Sequence, residues 1–482
     1  MESDILGGVL TTLEYYIDSM SDGLWSILLY VLVGAGIYFT LKTGIVQCRL
    51  FFHTWRTLVF SNKSTKQGVS TFGSFTTALG NKVGTGNIIG IAIALSTGGP
   101  GSIFWMWVLA FFGMASAFIE STLGQLYKVP DKEGRFRGGP AYYIERALGM
   151  RWLGVIFSLC LVFTLGLVFN AVQTNSIANG FIEAFGFGEK HIIGLVVMCI
   201  VAVIIFGGLH TISKVTTYLV PFMALIYILI ALSIIIMHIE EIPGLLLSII
   251  QGAFGIEPVL GGVTGYTFSQ TLLIGAQRGL FSNEAGMGTS PNIAATTNEK
   301  HPVIQGLVQM VGIFVDTMVV CTATACIILL SGIYDTSMGI QGAELTQRAI
   351  EVQFGVYGKY IITLVLFLFA FTSILGNYAF AEDNISFIKK GRLPVLIFRV
   401  CVLGMIVFGA IGSVPLVWKL SNLASACMTG INLIVLFMIH KYALGALKDY
   451  CKQKKEGIKE PRFLLKSLPQ SLHKDLEHTV WK

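Results

Sequence analysis

The chain has 482 residues, of which 54% are hydrophobic and only 12% charged, with a mean hydropathy of +0.72. Soluble domains carry roughly 25% charged residues, so this composition excludes a soluble globular protein and makes the bilayer its natural solvent. The net charge of +6 gathers largely near the C-terminus, as at Lys452, Lys454 and Lys455. It predicts a solvated basic tail rather than a nucleic-acid-binding face, for which no recognisable fold is present.

In chain order, the acidic start Met1-Glu2-Ser3-Asp4 predicts no signal peptide. A spanning helix takes ~20 apolar residues, and eleven stretches qualify. They are Trp25–Leu41, Phe72–Thr97, Ser102–Leu126, Trp152–Val172, Ile192–Leu209, Val215–Met237, Val263–Ala285, Val303–Leu330, Tyr360–Phe380, Val395–Ile411 and Leu416–Ile439. Between the first two, the stretch from Val46 to Phe60 mixes Arg49, His53 and Arg56 with Phe51, Phe52 and Trp55. It reads as an interfacial amphipathic helix or a structured loop. No Cys-x-x-Cys spacing occurs among the eight cysteines, so neither a zinc site nor a disulfide framework is indicated.

Basic residues set the orientation, because they concentrate in cytoplasmic loops. With the N-terminus outside, Lys42, Arg49, Arg56, Lys63 and Lys66 fall inside, as do the run from Lys128 to Arg151, Lys214, Lys300, Lys389, Lys390, Arg392, Arg399 and the tail from Lys441 to Lys482. Only Lys190, Arg348, Lys359 and Lys419 fall outside. The sequence therefore predicts a multi-pass plasma-membrane protein with its C-terminus in the cytoplasm.

Two of the spans are interrupted. The second contains Gly80-Asn81-Lys82-Val83-Gly84-Thr85-Gly86-Asn87, and the seventh runs from Gly275 through Arg278, Gly279 and Glu284 to Gly286. Glycine costs a helix about 1 kcal/mol relative to alanine, and unwound backbone at membrane depth is tolerated only around a buried cavity. Once the first span is set aside, the remaining ten split into two sets of five, each beginning with an interrupted helix. Because five is odd, the second set enters the membrane upside down. This pattern predicts an inverted-repeat secondary transporter with its site at the midplane. The expected organisation is an N-terminal part over 1–70, repeat one over 71–237, repeat two over 263–440 and a basic tail over 441–482. For either motif alone, the Gly-x-x-x-Gly spacing would mean close helix packing only.

Gly84-Thr85-Gly86-Asn87-Ile88, followed by Gly98-Gly99-Pro100-Gly101-Ser102-Ile103-Phe104-Trp105-Met106-Trp107, resembles the signature of the alanine-or-glycine:cation symporter family. Arg278-Gly279-Leu280-Phe281-Ser282-Asn283-Glu284-Ala285-Gly286 resembles a second block of that family, and His301-Pro302 leading to Asp316-Thr317 a third. The resemblance implies an all-α integral membrane protein of LeuT-type fold, with one extra N-terminal helix and a five-plus-five repeat. It also implies symport of alanine or glycine with sodium, sometimes protons. The stretch from Asn81 to Asn87 is similar to the broken first core helix of neurotransmitter:sodium symporters. By that likeness the amides of Thr85 and Gly86 hold the substrate carboxylate, as helix N-termini favour anions. Sodium then lies among the carbonyls of Gly80, Val83 and Phe369 and the hydroxyls of Thr372 and Ser373. The alternative for those two hydroxyls is a bond to their own helix. Some relatives have tryptophan where this chain has Asn377, which admits glutamine as an alternative substrate; Gln173 is a further pocket candidate.

Charges inside the membrane are expensive and usually paired or functional. Glu120 and Glu382 are expected to snorkel to water at the ends of their spans. Arg278 and Glu284 suit an inner gate. Asp316, near mid-span, is expected to form an ion pair with Lys82 that replaces a second sodium, with proton coupling through Asp316 as the alternative. No TVGYG-type filter, HExxH or Gly-x-x-x-x-Gly-Lys-[Ser/Thr] sequence is present, which argues against a channel, a metalloprotease and an ATP-driven pump. No cofactor, enzyme activity or obligate protein partner is expected. The expected ligands are the amino acid, sodium and the lipid bilayer.

Overall fold

The computed structural model describes residues 2–59, 65, 67–186, 188–255, 268–334, 342–412, 414–467 and 479–481. Lys63, Lys66, the start of the predicted span at Val263 and the tail residue Lys482 lie outside the described residues.

All but four of the described residues in regular structure are helical, as a chain in hydrocarbon requires, since every backbone polar group must be satisfied within its own segment. The exceptions pair Val129 with Arg137 and Pro130 with Phe136 in a small antiparallel hairpin, β1 (Val129–Pro130) and β2 (Phe136–Arg137). Among the described residues eight helices are long and apolar enough to cross a membrane, within 15–42, 101–126, 151–185, 208–237, 303–329, 357–388, 392–411 and 422–455. One further pair, α4 (Thr71–Lys82) and the helical stretch Gly86–Gly98 that ends in α5 (Ile91–Gly98), is bent by 49° at the break between Lys82 and Gly86 and makes a ninth span if counted as one.

Burial separates centre from periphery. The windows in 303–329 and 357–388 are each 72% buried, whereas those in 208–237 and 392–411 are 33% and 28% buried. The outer helices α10 (Lys190–Ile205), α11 (Gly208–Met237) and α19 (Arg392–Ile411) turn Val203, Tyr218, Phe222 and Ile397 outward. In the absence of a hydrophobic force between helices in lipid, small residues let backbones approach closely. A Cβ on Gly306 would lie 2.8 Å from the Phe118 carbonyl oxygen, so α15 (Val303–Ile313) meets α6 (Gly101–Leu126) nearly backbone to backbone.

The first predicted interruption is present. α4 ends at Lys82, Val83 is non-helical, and a π-helical turn over Gly86–Gly90 leads into α5. The second begins at the end of the predicted stretch from Gly275 to Gly286 and runs past it. α13 (Phe268–Asn283) passes unbroken through Gly275 and Gly279. Gly275 is there for packing, since a Cβ on it would sit 2.6 Å from the Ser102 carbonyl oxygen on α6. The break begins at Glu284, at φ 54°, and passes Gly286 and Gly288, at φ 78° and 85°, before the short helix α14 (Ser290–Ala295).

Other expectations are corrected. Glu120 does not snorkel: it is fully buried in the middle of the helix packing. Glu382 is half-buried, bonded by the Tyr378 hydroxyl and 3.4 Å from the Arg399 guanidinium. The C-terminal tail is not simply solvated, since Phe463 and Trp481 are buried. The stretch after the first span forms two helices, Val46–Arg49 and Phe51–Val59, with Phe52 85% exposed on the second. Helices at Pro140–Leu148 (α7), Ile242–Ala253 and Ala343–Phe354 were not predicted; each is short and contributes to a loop region.

Candidate functional site

The first break is walled by the middle of α18 (Tyr357–Ile388). Ser373 Oγ donates to the carbonyl oxygens of Gly80 and Asn81 at 3.0 and 2.9 Å, so it caps two of the acceptors that the broken helix leaves open. Thr372 Oγ1 donates to the Phe369 carbonyl oxygen at 3.0 Å and lies against Gly80, where a Cβ would come within 3.3 Å of Thr372 Cβ. Gly80, Phe369, Thr372 and Ser373, named together by the family likeness, lie together in the structure. Val83 is fully buried in the same break. Gly84 must be glycine: a Cβ would fall 2.3 Å from Ser373 Oγ and 3.1 Å from Gln173 Nε2.

Across the break lies α9 (Asn170–Phe185). Gln173 Oε1 accepts from the Thr85 amide at 3.1 Å, so this amide is held by a side-chain oxygen. One turn away, Asn170 Oδ1 accepts from Asn377 Nδ2 at 3.0 Å, while Asn377 Oδ1 is buried with no hydrogen-bond partner among the described residues. Gly86 faces α13; a Cβ there would be 3.1 Å from Phe281 Cδ1 and 3.2 Å from Ser282 Cα.

The buried charges do not pair as expected. Lys82 Nζ donates to Ser290 Oγ at 2.6 Å, and no ion pair joins it to Asp316 among the described residues. Asp316, in a π-helical segment (Phe314–Cys321), instead accepts from Asn87 Nδ2 at 2.7 Å, Ser282 Oγ at 2.9 Å and Thr317 Oγ1 at 2.9 Å. Neutral donors thus fill the hydrogen-bonding positions of this carboxyl without a lysine among them. Asn87 faces both ways, because its Oδ1 accepts from the Gly84 amide at 2.9 Å. Glu284 accepts from Asn81 Nδ2 at 2.7 Å, and Arg278 is half-buried on α13.

The two breaks are therefore tied to each other by Asn81–Glu284 and Lys82–Ser290. The second has its own support. Glu120 Oε2 accepts from the Gly288 amide at 3.2 Å and from Asn432 Nδ2 at 3.0 Å. Asn432 also donates to the Gly286 carbonyl oxygen at 2.8 Å and accepts from the Tyr143 hydroxyl at 2.6 Å. Asn81, Asn87, Asn170, Ser282, Ser290 and Asn432 were given no role of their own from the sequence, although Asn81, Asn87 and Ser282 stand in its motifs. The available signal was an amide or hydroxyl on an otherwise apolar span.

Comparison with known proteins adds a further observation: residues 10–465 match the sodium:alanine symporter family. The chain belongs to that family. It is 45% identical to the amino-acid carrier protein AlsT of Bacillus subtilis, over 93% of this chain and 94% of that one. It is 44% identical to the probable sodium/glutamine symporter GlnT of the same organism, over 94% and 93%. It is 35% identical to the sodium/alanine symporter AgcS of Methanococcus maripaludis, over 90% and 96%. A solved manganese transporter mutant from Eremococcus coleocola shares its fold at TM-score 0.51 and 14% identity, over 81% of each chain. As a family member with eight long apolar helices among its described residues, this is a multi-pass membrane transporter and not an enzyme.

Proposed function

We propose that the protein is a sodium-coupled symporter that carries a small neutral amino acid, alanine or glycine, into the cell by alternating access. The observation that carries this reading is the oxygen cluster at the first break. There Ser373 Oγ, Thr372 Oγ1 and the carbonyls of Gly80, Asn81 and Phe369 meet at the buried end of α4, beside the non-helical Val83 and Gly84. Sodium is a hard cation and takes such oxygens; Val83 contributes a further carbonyl from the same turn. The substrate carboxylate takes the amides of Thr85 and Gly86, displacing Gln173 Oε1, which stands in for it at Thr85. Glutamine is the second reading. The unpartnered Asn377 Oδ1 beside Asn170 supports it, since it supplies the acceptor that a substrate carboxamide needs.

In the same proposal the chain crosses the membrane eleven times, as one extra N-terminal helix followed by two inverted sets over 71–237 and 263–440 in a LeuT-type arrangement. The N-terminus is outside, and the C-terminus lies with most of the basic residues in the cytoplasm. The deciding experiment is uptake of labelled alanine, glycine, serine and glutamine into proteoliposomes under an imposed sodium gradient and, separately, a proton gradient. Uptake that follows sodium supports the proposal. Uptake that follows pH and ignores sodium assigns the proton instead, and no uptake of any of the four rejects the substrate class.

A further inference from the structure

α14 carries the Ser290 that holds Lys82, and its Asn292 Oδ1 accepts from Asn384 Nδ2 on α18 at 2.9 Å. Asn292, Ile293 and Thr296 also line a cavity of about 1300 Å³, together with Asp383 and Arg137. The far end of α14 and Thr297 just beyond it are gripped from the end of α6 and from Lys128 after it. Gln125 Nε2 donates to the Ala294 carbonyl oxygen and to Thr297 Oγ1, and Lys128 Nζ donates to the Thr297 carbonyl oxygen at 2.8 Å.

The C-terminal residues close over this grip. α20 (Val414–Lys455) ends and the chain doubles back. The Arg462 amide donates to Gln453 Oε1 and Gln453 Nε2 to the Arg462 carbonyl oxygen, each at 2.9 Å. The Phe463 amide donates to the Lys300 carbonyl oxygen at 2.9 Å, and its ring packs 5.3 Å from His301 and 5.5 Å from Trp481. Trp481 Nε1 donates to the Gln125 carbonyl oxygen at 3.1 Å, with the Lys128 ammonium 4.8 Å from its ring centroid, a cation–π distance. The tail thus touches the chain on both sides of α14's exit, at Gln125 and Lys128 and at Lys300 and His301.

We infer that the C-terminal tail is a latch: Phe463 and Trp481 hold the end of the second broken helix in place and so restrain the transport cycle. Transport by alternating access needs the half-helices around the site to move. α14 connects Lys82 to the cavity, and an element gripped at its far end moves less freely. This inference rests on the symporter reading for its effect on rate, but not for the contact itself.

The test compares full-length wild type with Trp481→Ala, Phe463→Ala, the double variant and Trp481→Phe. Amide hydrogen exchange over 290–301, in purified protein without substrate, should accelerate about tenfold in the alanine variants and less in Trp481→Phe. Maximal sodium-driven alanine uptake should rise about two- to fivefold, with the double variant no faster than the stronger single one. Unchanged exchange over 290–301 overturns the latch. Faster exchange with unchanged or reduced uptake also overturns it, since the tail is then only a scaffold. If wild type carries none of the amino acids, the symporter reading fails, and the exchange comparison still decides whether the tail restrains α14.

Discussion

Asn87 is the residue whose loss should tell most about the site. Its side chain satisfies the Gly84 amide at 2.9 Å and reaches Asp316 at 2.7 Å, and all three residues are buried. Asn87→Ala leaves a buried amide without an acceptor and a buried carboxyl short of one donor. Each orphaned group costs about 1–3 kcal/mol, more where charge is involved. The break should therefore be destabilised by about 2–5 kcal/mol. Tenfold in an equilibrium constant is about 1.4 kcal/mol, so even the lower figure corresponds to roughly 30-fold. The assay is thermal unfolding of purified protein titrated with sodium and with alanine, because a ligand that binds only the folded state raises stability by RT ln(1 + [L]/Kd). Both titrations should shift to higher concentration by that factor, or the ligand-free protein should lose the same stability. A double-mutant cycle with Asp316→Ala locates the loss. The Asn87–Asp316 pair should couple by about 1–3 kcal/mol, and Lys82→Met with Asp316→Ala by clearly less. Unchanged titrations and unchanged stability in Asn87→Ala would refute the reasoning. So would a Lys82–Asp316 coupling as large as the Asn87 one, which would restore the ion pair that the structure does not contain.

Ser373→Ala removes the hydroxyl that caps Gly80 and Asn81 and should raise the sodium concentration for half-maximal uptake about tenfold; an unchanged sodium dependence removes Ser373 from the ion site. Gln173→Glu places a carboxylate at the Thr85 amide and should abolish alanine binding in folded protein, whereas Gln173→Ala should keep it; equal binding by both variants would show that the Thr85 amide does not take the substrate. Asn377→Leu removes the free acceptor beside Asn170 and should depress glutamine uptake at least tenfold more than alanine uptake; a parallel loss of both would mean that residue 377 acts on folding. Glu120→Ala should strand the Gly288 amide and lower maximal uptake, and Glu120→Gln, which keeps an acceptor there, should recover most of it; equal defects in the two would show that charge, not the acceptor, matters.

The apolar runs were legible because hydrocarbon leaves a chain little choice: all eight long apolar helices among the described residues coincide with predicted stretches, while Ile192–Leu209 answers only to the shorter helix α10. The first break was legible too, since Gly80, Gly84, Gly86 and Gly90 flank a lysine and two asparagines in one stretch. The second was displaced by nine residues from the first glycine of its motif, because glycine serves two purposes. At Gly275 it admits the α6 backbone, and at Gly286 and Gly288 it permits positive φ. Sequence alone does not distinguish them. The partners of the buried charges were illegible for a different reason. Neutral groups fill the hydrogen-bonding positions around the buried charges, Asn87 and Ser282 donating to Asp316 and Ser290 accepting from Lys82, so counting lysines and carboxylates did not find these partners. The docking of Phe463 and Trp481 was hidden by the basic residues that surround them in the tail.

The packing around Gly84 suggests why ion and substrate travel together. On one side of it stands Ser373 Oγ, which caps the carbonyls proposed for sodium; on the other stands Gln173, which holds the amide proposed for the carboxylate. A single residue with no side chain separates the two, so a shift of the backbone at the break changes both sites at once. In the proposed mechanism sodium drawn to the carbonyls of Gly80 and Asn81 would release Ser373 from capping them and fix the turn that presents the Thr85 amide. Coupling is reciprocal by thermodynamic necessity, so the amino acid that replaces Gln173 Oε1 must tighten sodium by the same factor. Gly84→Ala would wedge these neighbours apart. Overpacking of this kind costs about 1–3 kcal/mol. The cost falls on the bond between the two sites, so it should weaken the dependence of alanine affinity on sodium more than it weakens either ligand measured alone.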